Sequence, residues 1–159
     1  MNGEAFKGEF IAAMGRVCTP VSVVTTFDGT PHGTTVSAFA SLSLAPPMVL
    51  VSLDARSQLL ERLRSTSQFG LNVLSKSQVD LAVRFARKGA DDFAGLEWSE
   101  EEGCPRFQGA AVWLACRIDD LIEGGDHWIA LGRVLRIQVA DAEPLTYHER
   151  RFGTHAQLG

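Results

Sequence analysis

His32-Gly33-Thr34-Thr35-Val36-Ser37-Ala38-Phe39-Ala40-Ser41-Leu42-Ser43-Leu44 is the stretch on which the reading of this chain turns. From Thr35 onward it alternates. Thr35, Ser37, Ser41 and Ser43 share one parity, with Phe39 among them; Val36, Ala38, Ala40, Leu42 and Leu44 share the other. In an extended chain, period two gives one polar and one apolar side. No Asp, Glu, Lys or Arg occurs between His32 and Leu53. A pocket for a polar, planar heterocycle wants short hydroxyls and backbone groups placed without bulk. A solvated edge strand is the other reading of the same residues.

Outward from this stretch, Asp28-Gly29-Thr30-Pro31 is a turn after the β-rich run Val21 to Phe27. Further upstream, Phe6, Phe10, Ala13, Met14 and Val17 have helical spacing, which predicts a helix with one face on the core, ended before Pro20. Downstream, Pro46-Pro47 breaks the alternation, and Met48 to Leu53 reads as a fully buried strand. Ser57 to Ser65 predicts a short helix with Leu59, Leu60 and Leu63 inward. Phe69 to Leu74 is a further strand. Ser77, with Asp80 three residues on, reads as the capping box of a second helix with Val79, Ala82, Val83 and Ala86 inward. Arg84, Arg87 and Lys88 suit its C-terminal end, and Gly89 stops it. Residues 89 to 106 read as an acidic, irregular loop. Ala111 to Ile122 and His127 to Val139 flank Glu123-Gly124-Gly125-Asp126, a hairpin signal. Pro144 to Gly159 reads as an irregular tail. Strands that do not alternate regularly with helices argue against a Rossmann fold. The expectation is one domain over residues 1–159, mainly β with peripheral α-helices, built as an antiparallel barrel.

Composition narrows the function. A net charge of −4 without a clustered basic face argues against nucleic-acid binding. No stretch approaches the length of a membrane helix, and the early charges of MNGEAFKGEF are unlike a secretory signal. Cys18, Cys104 and Cys116 are odd in number and widely spaced, which fits a reduced cytoplasmic setting and small buried apolar residues. His32, His127, His148 and His155 form no metal-like spacing, so no metal is expected. No serine sits in a recognisable nucleophile turn. Two further segments are candidate sites. Ser52-Leu53-Asp54-Ala55-Arg56-Ser57 joins a strand to a helix start, where Ser57 is an N-cap by default and free N–H groups can also take a phosphate. His127 opens the strand after Gly124-Gly125-Asp126, facing either a cavity or solvent.

Together these segments resemble the flavin reductase domain of two-component flavin monooxygenases, an FMN-binding split barrel, from about Phe6 to Phe152. Gly33 to Pro47 resembles that family's G-x-T-[AV]-[NS]-[SA]-x-x-S-[VL]-S-x-x-P-P. Phe69-Gly70-Leu71-Asn72-Val73-Leu74 is similar to the family strand that follows, Arg84-Phe85-Ala86 to its R-F-A, and Gly125-Asp126-His127 with Ile129, Gly132 and Val134 to its G-D-H-x-I-x-x-G-x-V. The resemblance implies FMN or FAD as the flavin and NADH or NADPH as the reductant. It implies that Thr35, Val36, Ser37 and Ala38 line the flavin rings, with Ser41 in the same signature. Ser52, Asp54 and Ser57 would lie along the ribityl and phosphate part. Arg84, Phe85 and Ala86 would close the phosphate or adenine side, and His127 would stand near the nicotinamide. It further implies a homodimer and a separate monooxygenase that receives the reduced flavin. The tail departs from the family's P-L-x-Y-x-x-G-x-Y: at Pro144 to Phe152 the glycine is lost and the last Tyr is Phe, so no tail residue is counted as a site. Direct hydride transfer between cofactors needs no catalytic triad. Other readings are a flavin-binding protein without turnover, a split-barrel oxidase, and a flavin-dependent reductase of ferric iron or a corrinoid.

Overall fold

The computed structural model describes residues 3–87 and 93–159. Along the chain run α1 (Gly3–Gly15), β1 (Thr19–Pro20), β2 (Ser22–Phe27), β3 (Pro31–Val36), β4 (Phe39–Leu44), β5 (Pro47–Asp54), α2 (Gln58–Thr66) and β6 (Gln68–Val73). A 3₁₀ turn (Lys76–Gln78) leads into α3 (Val79–Ala86). Then follow β7 (Trp98–Glu101), β8 (Cys104–Phe107), β9 (Val112–Gly124), β10 (His127–Val139), β11 (Leu145–His148) and β12 (Arg151–Thr154).

Seven strands form one antiparallel sheet in the order β3-β2-β6-β9-β10-β5-β4. Its two edge strands, β3 and β4, are consecutive in sequence. Two residues, Ser37 and Ala38, carry the chain from one edge to the other, so the sheet must curl back on itself. Those edges share no ladder, so the barrel is split. The expected mainly antiparallel β architecture with peripheral helices is therefore what the chain adopts.

β2, one strand in from the β3 edge, lies between two cores. Ser22 to Thr26 are all buried: Val24 belongs to a core with Val51, Leu53, Phe69 and Leu71, whereas Val21 and Val23 join a second core with Ala82, Phe85, Phe93 and Phe107. The first core also takes Leu59, Leu60 and Leu63 of α2. Burying three leucines contributes roughly 5–9 kcal/mol, against about 1 kcal/mol from the Ser57 cap. Packing therefore holds α2 in place, and the cap sets where it begins.

Several expectations are corrected. The hydroxyl run is not one extended face: it breaks at Ser37–Ala38, because curling the sheet requires a crossover there. Met48 to Leu53 is not fully buried. Val49, Val51 and Leu53 are buried and their alternate neighbours half-buried, since only one face of β5 meets the core. α1 forms, but no residue of it is buried; Phe6 is 58% and Phe10 60% exposed. Its last turn is tethered by Glu149 N–H donating to Gly15 O (2.9 Å), and nothing in the described chain covers its apolar side.

The capping box is Ser75 with Gln78, two residues earlier than Ser77 with Asp80. α3 buries Ala82 and Phe85 and leaves Val83 and Ala86 exposed, because the aromatic cluster lies on the Phe85 side. Lys88 and the helix stop at Gly89 lie outside the described residues. The acidic segment contains the β7–β8 hairpin, turned through Glu102 and Gly103 at positive φ; its Cys104 and Phe107 are buried while Glu101 pairs outward with Arg106 (2.8 Å). The tail forms the β11–β12 hairpin, with β1 completing a three-stranded sheet around buried Leu145. Cys104 and Cys116 are buried as expected, and Cys18 is exposed. The long β9–β10 hairpin is as the sequence predicts. Its two-residue turn, Gly125-Asp126, has Gly125 at φ +67°, which suits a glycine at the first central position.

Candidate functional site

The site is built around the crossover, which is pinned from three sides. Ser22 Oγ, buried, donates to Val36 O (2.6 Å) from β2. Thr35 Oγ1 donates to Ala82 O (2.7 Å) on α3, and Ser52 N–H donates to Ala38 O (2.9 Å) from β5. Ser37 and Ala38 themselves remain exposed. The hydroxyls of Ser37 and Ser52 have no hydrogen-bond partner among the described residues. The result is a fixed backbone corner with small side chains and free hydroxyls, a donor set that fits a flat heterocycle rich in carbonyl oxygens and ring nitrogens.

Next to this corner lies the end of β5. Ser52 and Asp54 point away from the core that takes Val51 and Leu53. Their antiparallel partners on β10 are Ile129 and His127. Ala55 N–H donates to Asp126 O and Ser57 N–H to Asp54 O, each at 2.9 Å, so the β5–α2 corner and the β9–β10 turn form one rigid surface.

Asp54 accepts from the Arg56 backbone N–H (2.8 Å) and from its guanidinium through both oxygens (3.2 and 3.1 Å). Those guanidinium bonds first, and the backbone bond next, hold its carboxyl down to about 2. Ser57 Oγ accepts from Leu60 N–H at 3.4 Å, as an N-cap does. His127 Nδ1 lies 2.7 Å from Asp126 Oδ1, and that bond holds the Asp126 carboxyl below its usual range.

The structure thus brings Ser37, Ala38, Ser52, Asp54, Ser57 and His127 together, with Thr35 linking them to α3. Val36 contributes backbone only, since its side chain is buried in the first core. Ser41 is not in the group. It pairs with Val49, three positions along β5 from Ser52 and on the core-facing parity, roughly 10 Å away by strand rise. Phe85 is 1% exposed, packed on Phe93 and Phe107, so it shapes α3 rather than lining the surface. Arg84 is half-buried and donates to Ala94 O (2.9 Å), and Ala86 is exposed.

Two groups escaped the sequence reading. Ser22 anchors the crossover, and nothing local marks it. Asp126 holds His127; its place in Gly-Asp-His was visible, but no role followed from spacing alone. A cleft of about 560 Å³ lined by Asp28, Gln58, Glu61, Arg62, Arg64 and Ser65 shares no residue with this surface.

Comparison with known proteins bears on the family and the fold. Residues 14–156 match the model of the flavin reductase like domain. The chain is 38% identical to the reductase component of 4-nitrophenol 4-monooxygenase/4-nitrocatechol 2-monooxygenase from Rhodococcus opacus, covering 92% of this chain and 80% of that protein. It is 34% identical to the flavin-dependent monooxygenase reductase subunit HsaB from Rhodococcus jostii, over 90% and 75% of the two chains. The solved structure of the NADH:FAD oxidoreductase SgcE6 from Streptomyces globisporus, in complex with NAD and FAD fragments, superposes with a TM-score of 0.90 at 33% identity, covering 94% of this chain and 93% of that one. By its fold and these matches, the chain belongs to the flavin reductase-like family and is an oxidoreductase of that class.

Proposed function

We propose that this protein reduces FMN or FAD with NADH or NADPH and releases the reduced flavin to a separate monooxygenase. The observation that carries the reading is the pinned Ser37–Ala38 corner, with free hydroxyls, set beside the His127 turn. Flavin and nicotinamide supply the redox chemistry between themselves by direct hydride transfer. The chain's own residues position the rings. Thr35 to Ala38 hold the isoalloxazine edge through backbone groups and the Ser37 hydroxyl. Fixed donors of this kind stabilise developing negative charge without reorganising. Ser52 and Asp54 flank the ribityl chain, and the N–H groups at the start of α2 beside Ser57 face the phosphate side. Arg84 and Ala86 lie on the adenine side when the flavin is FAD. His127 orients the nicotinamide. The whole chain, residues 1–159, acts as one domain.

The separate oxygenase is supported by the relatives named above, which are reductase components or subunits of monooxygenases. A homodimer is supported by the uncovered apolar residues of α1, namely Phe6, Phe10, Ile11 and Met14, together with Leu44 at 90% exposure. No helix among the described residues is long and apolar enough to cross a membrane. The free thiols of Cys18, Cys104 and Cys116 favour the reducing cytoplasm.

NADH and NADPH oxidation assays with FMN, FAD and riboflavin side by side test the reading. Catalytic turnover with at least one flavin is expected. Saturable flavin quenching without NAD(P)H oxidation would instead mark a flavin-binding protein without turnover.

A further inference from the structure

Asp126 stands at the tip of the β9–β10 hairpin, and its side chain is 94% exposed. Its backbone is fixed all the same: its C=O accepts from Ala55 N–H, and Gly125 before it sets the turn. One carboxylate oxygen lies 2.7 Å from His127 Nδ1. An ionised carboxylate only accepts hydrogen bonds, so Nδ1 must carry the proton. In the neutral ring Nε2 is then bare and accepts. The other charged groups facing this imidazole are Asp54, its cross-strand partner, and Arg56, which is occupied by Asp54. Neither is bonded to the ring, so the tautomer is set by Asp126.

We infer that Asp126 is a positioning residue. It locks His127 in the Nδ1–H tautomer and turns Nε2 outward as a hydrogen-bond acceptor for an N–H donor on the bound nucleotide, the nicotinamide carboxamide being the donor of matching chemistry. This rests on the reading that His127 contacts the nicotinamide nucleotide.

Two measurements separate the inference from that reading. The first is ¹⁵N NMR of the His127 ring in the flavin-free protein, at a pH where the ring is neutral. The wild type shows protonated Nδ1 and bare Nε2, and Asp126→Ala reverts to the Nε2–H-rich mixture of a free imidazole. The second is NADH kinetics of Asp126→Ala, His127→Ala and the double variant. Asp126→Ala raises the KM for NADH about fivefold, the size of one ordinary net hydrogen bond. Flavin Kd stays unchanged, and the double variant is no worse than His127→Ala alone.

A wild-type ring protonated on Nε2, or an Asp126→Ala effect that adds fully to that of His127→Ala, overturns the positioning role and leaves the His127 reading intact. If His127→Ala leaves NADH kinetics unchanged, the His127 reading falls, and the inference with it, whatever the tautomer.

Discussion

Gly132 is where an added methyl group does most damage. It lies on β10 beside a bulge, at which Asp119 of β9 is the unpaired residue and its carboxylate accepts from Arg133 at 2.9 and 2.7 Å. A Cβ built on Gly132 would lie 2.5 Å from Phe69 Cζ, 2.7 Å from Phe69 Cε1 and 3.1 Å from Cys116 Cβ. Carbon atoms in contact prefer roughly 3.5–4.0 Å, so the overlap is about 1 Å against a ring with no solvent exposure to retreat into. Overpacking of a filled core costs typically 1–3 kcal/mol, and a clash with a rigid ring belongs at the upper end. For Gly132→Ala we expect about 3 kcal/mol, a fall in Tm of roughly 6–12 °C for a chain of this size. Denaturant and thermal unfolding at fixed protein concentration check it. Phe69→Leu removes the ring edge that meets the new methyl, so the double variant should be about 1–2 kcal/mol less destabilised than the sum of the singles. A Tm change under 2 °C for Gly132→Ala, or strict additivity with Phe69→Leu, would refute the packing argument.

Three further outcomes follow from other contacts. The Asp28 carboxyl is held down to about 2, first by its hydrogen bond to His32 (2.9 Å) and also by Arg62 (2.8 Å). A depressed folded-state value means stability present above the unfolded value near 4 and lost as pH falls toward 2; Tm against pH should drop in that window, and less steeply for Asp28→Asn. Phe10→Asp places a charge on the uncovered side of α1, and sedimentation should show a shift toward monomer. Thr35→Val removes the bond to Ala82 O and frees the crossover from α3; flavin Kd should rise severalfold while Tm falls by a few degrees, as for the loss of about 1 kcal/mol.

Much of this arrangement is legible in the sequence. The α2 leucines, the Ser57 cap and the Gly125-Asp126 turn follow from local periodicity and turn chemistry, so they could be read from a few neighbouring residues. The family resemblance singled out the crossover segment, His127 and the β5 end as candidates, and the fold sets them side by side. What stayed hidden depends on contacts distant in sequence. Ser37–Ala38 looks like a continuous strand because alternation persists across the break; only the placement of β3 and β4 at opposite edges shows that it is a bridge. Phe85 reads as part of a binding motif, yet Phe93 and Phe107 enclose it. The β7–β8 hairpin escaped because its acidic residues flank a short strand whose buried Cys104, Pro105 and Phe107 do not alternate. The α1 stripe has core-like spacing, but no part of the described chain comes back to cover it.

Catalytic reduction of a flavin that then leaves is the activity proposed for this protein. Its most direct measurement is anaerobic mixing of a small amount of this protein with excess FMN or FAD and excess NADH or NADPH, following the visible absorbance of oxidised flavin. The expected result is bleaching of many flavin equivalents per protein, with reduced flavin recoverable across a dialysis membrane. No bleaching with any pair, or bleaching that stops at one flavin per protein and stays with it, would contradict it.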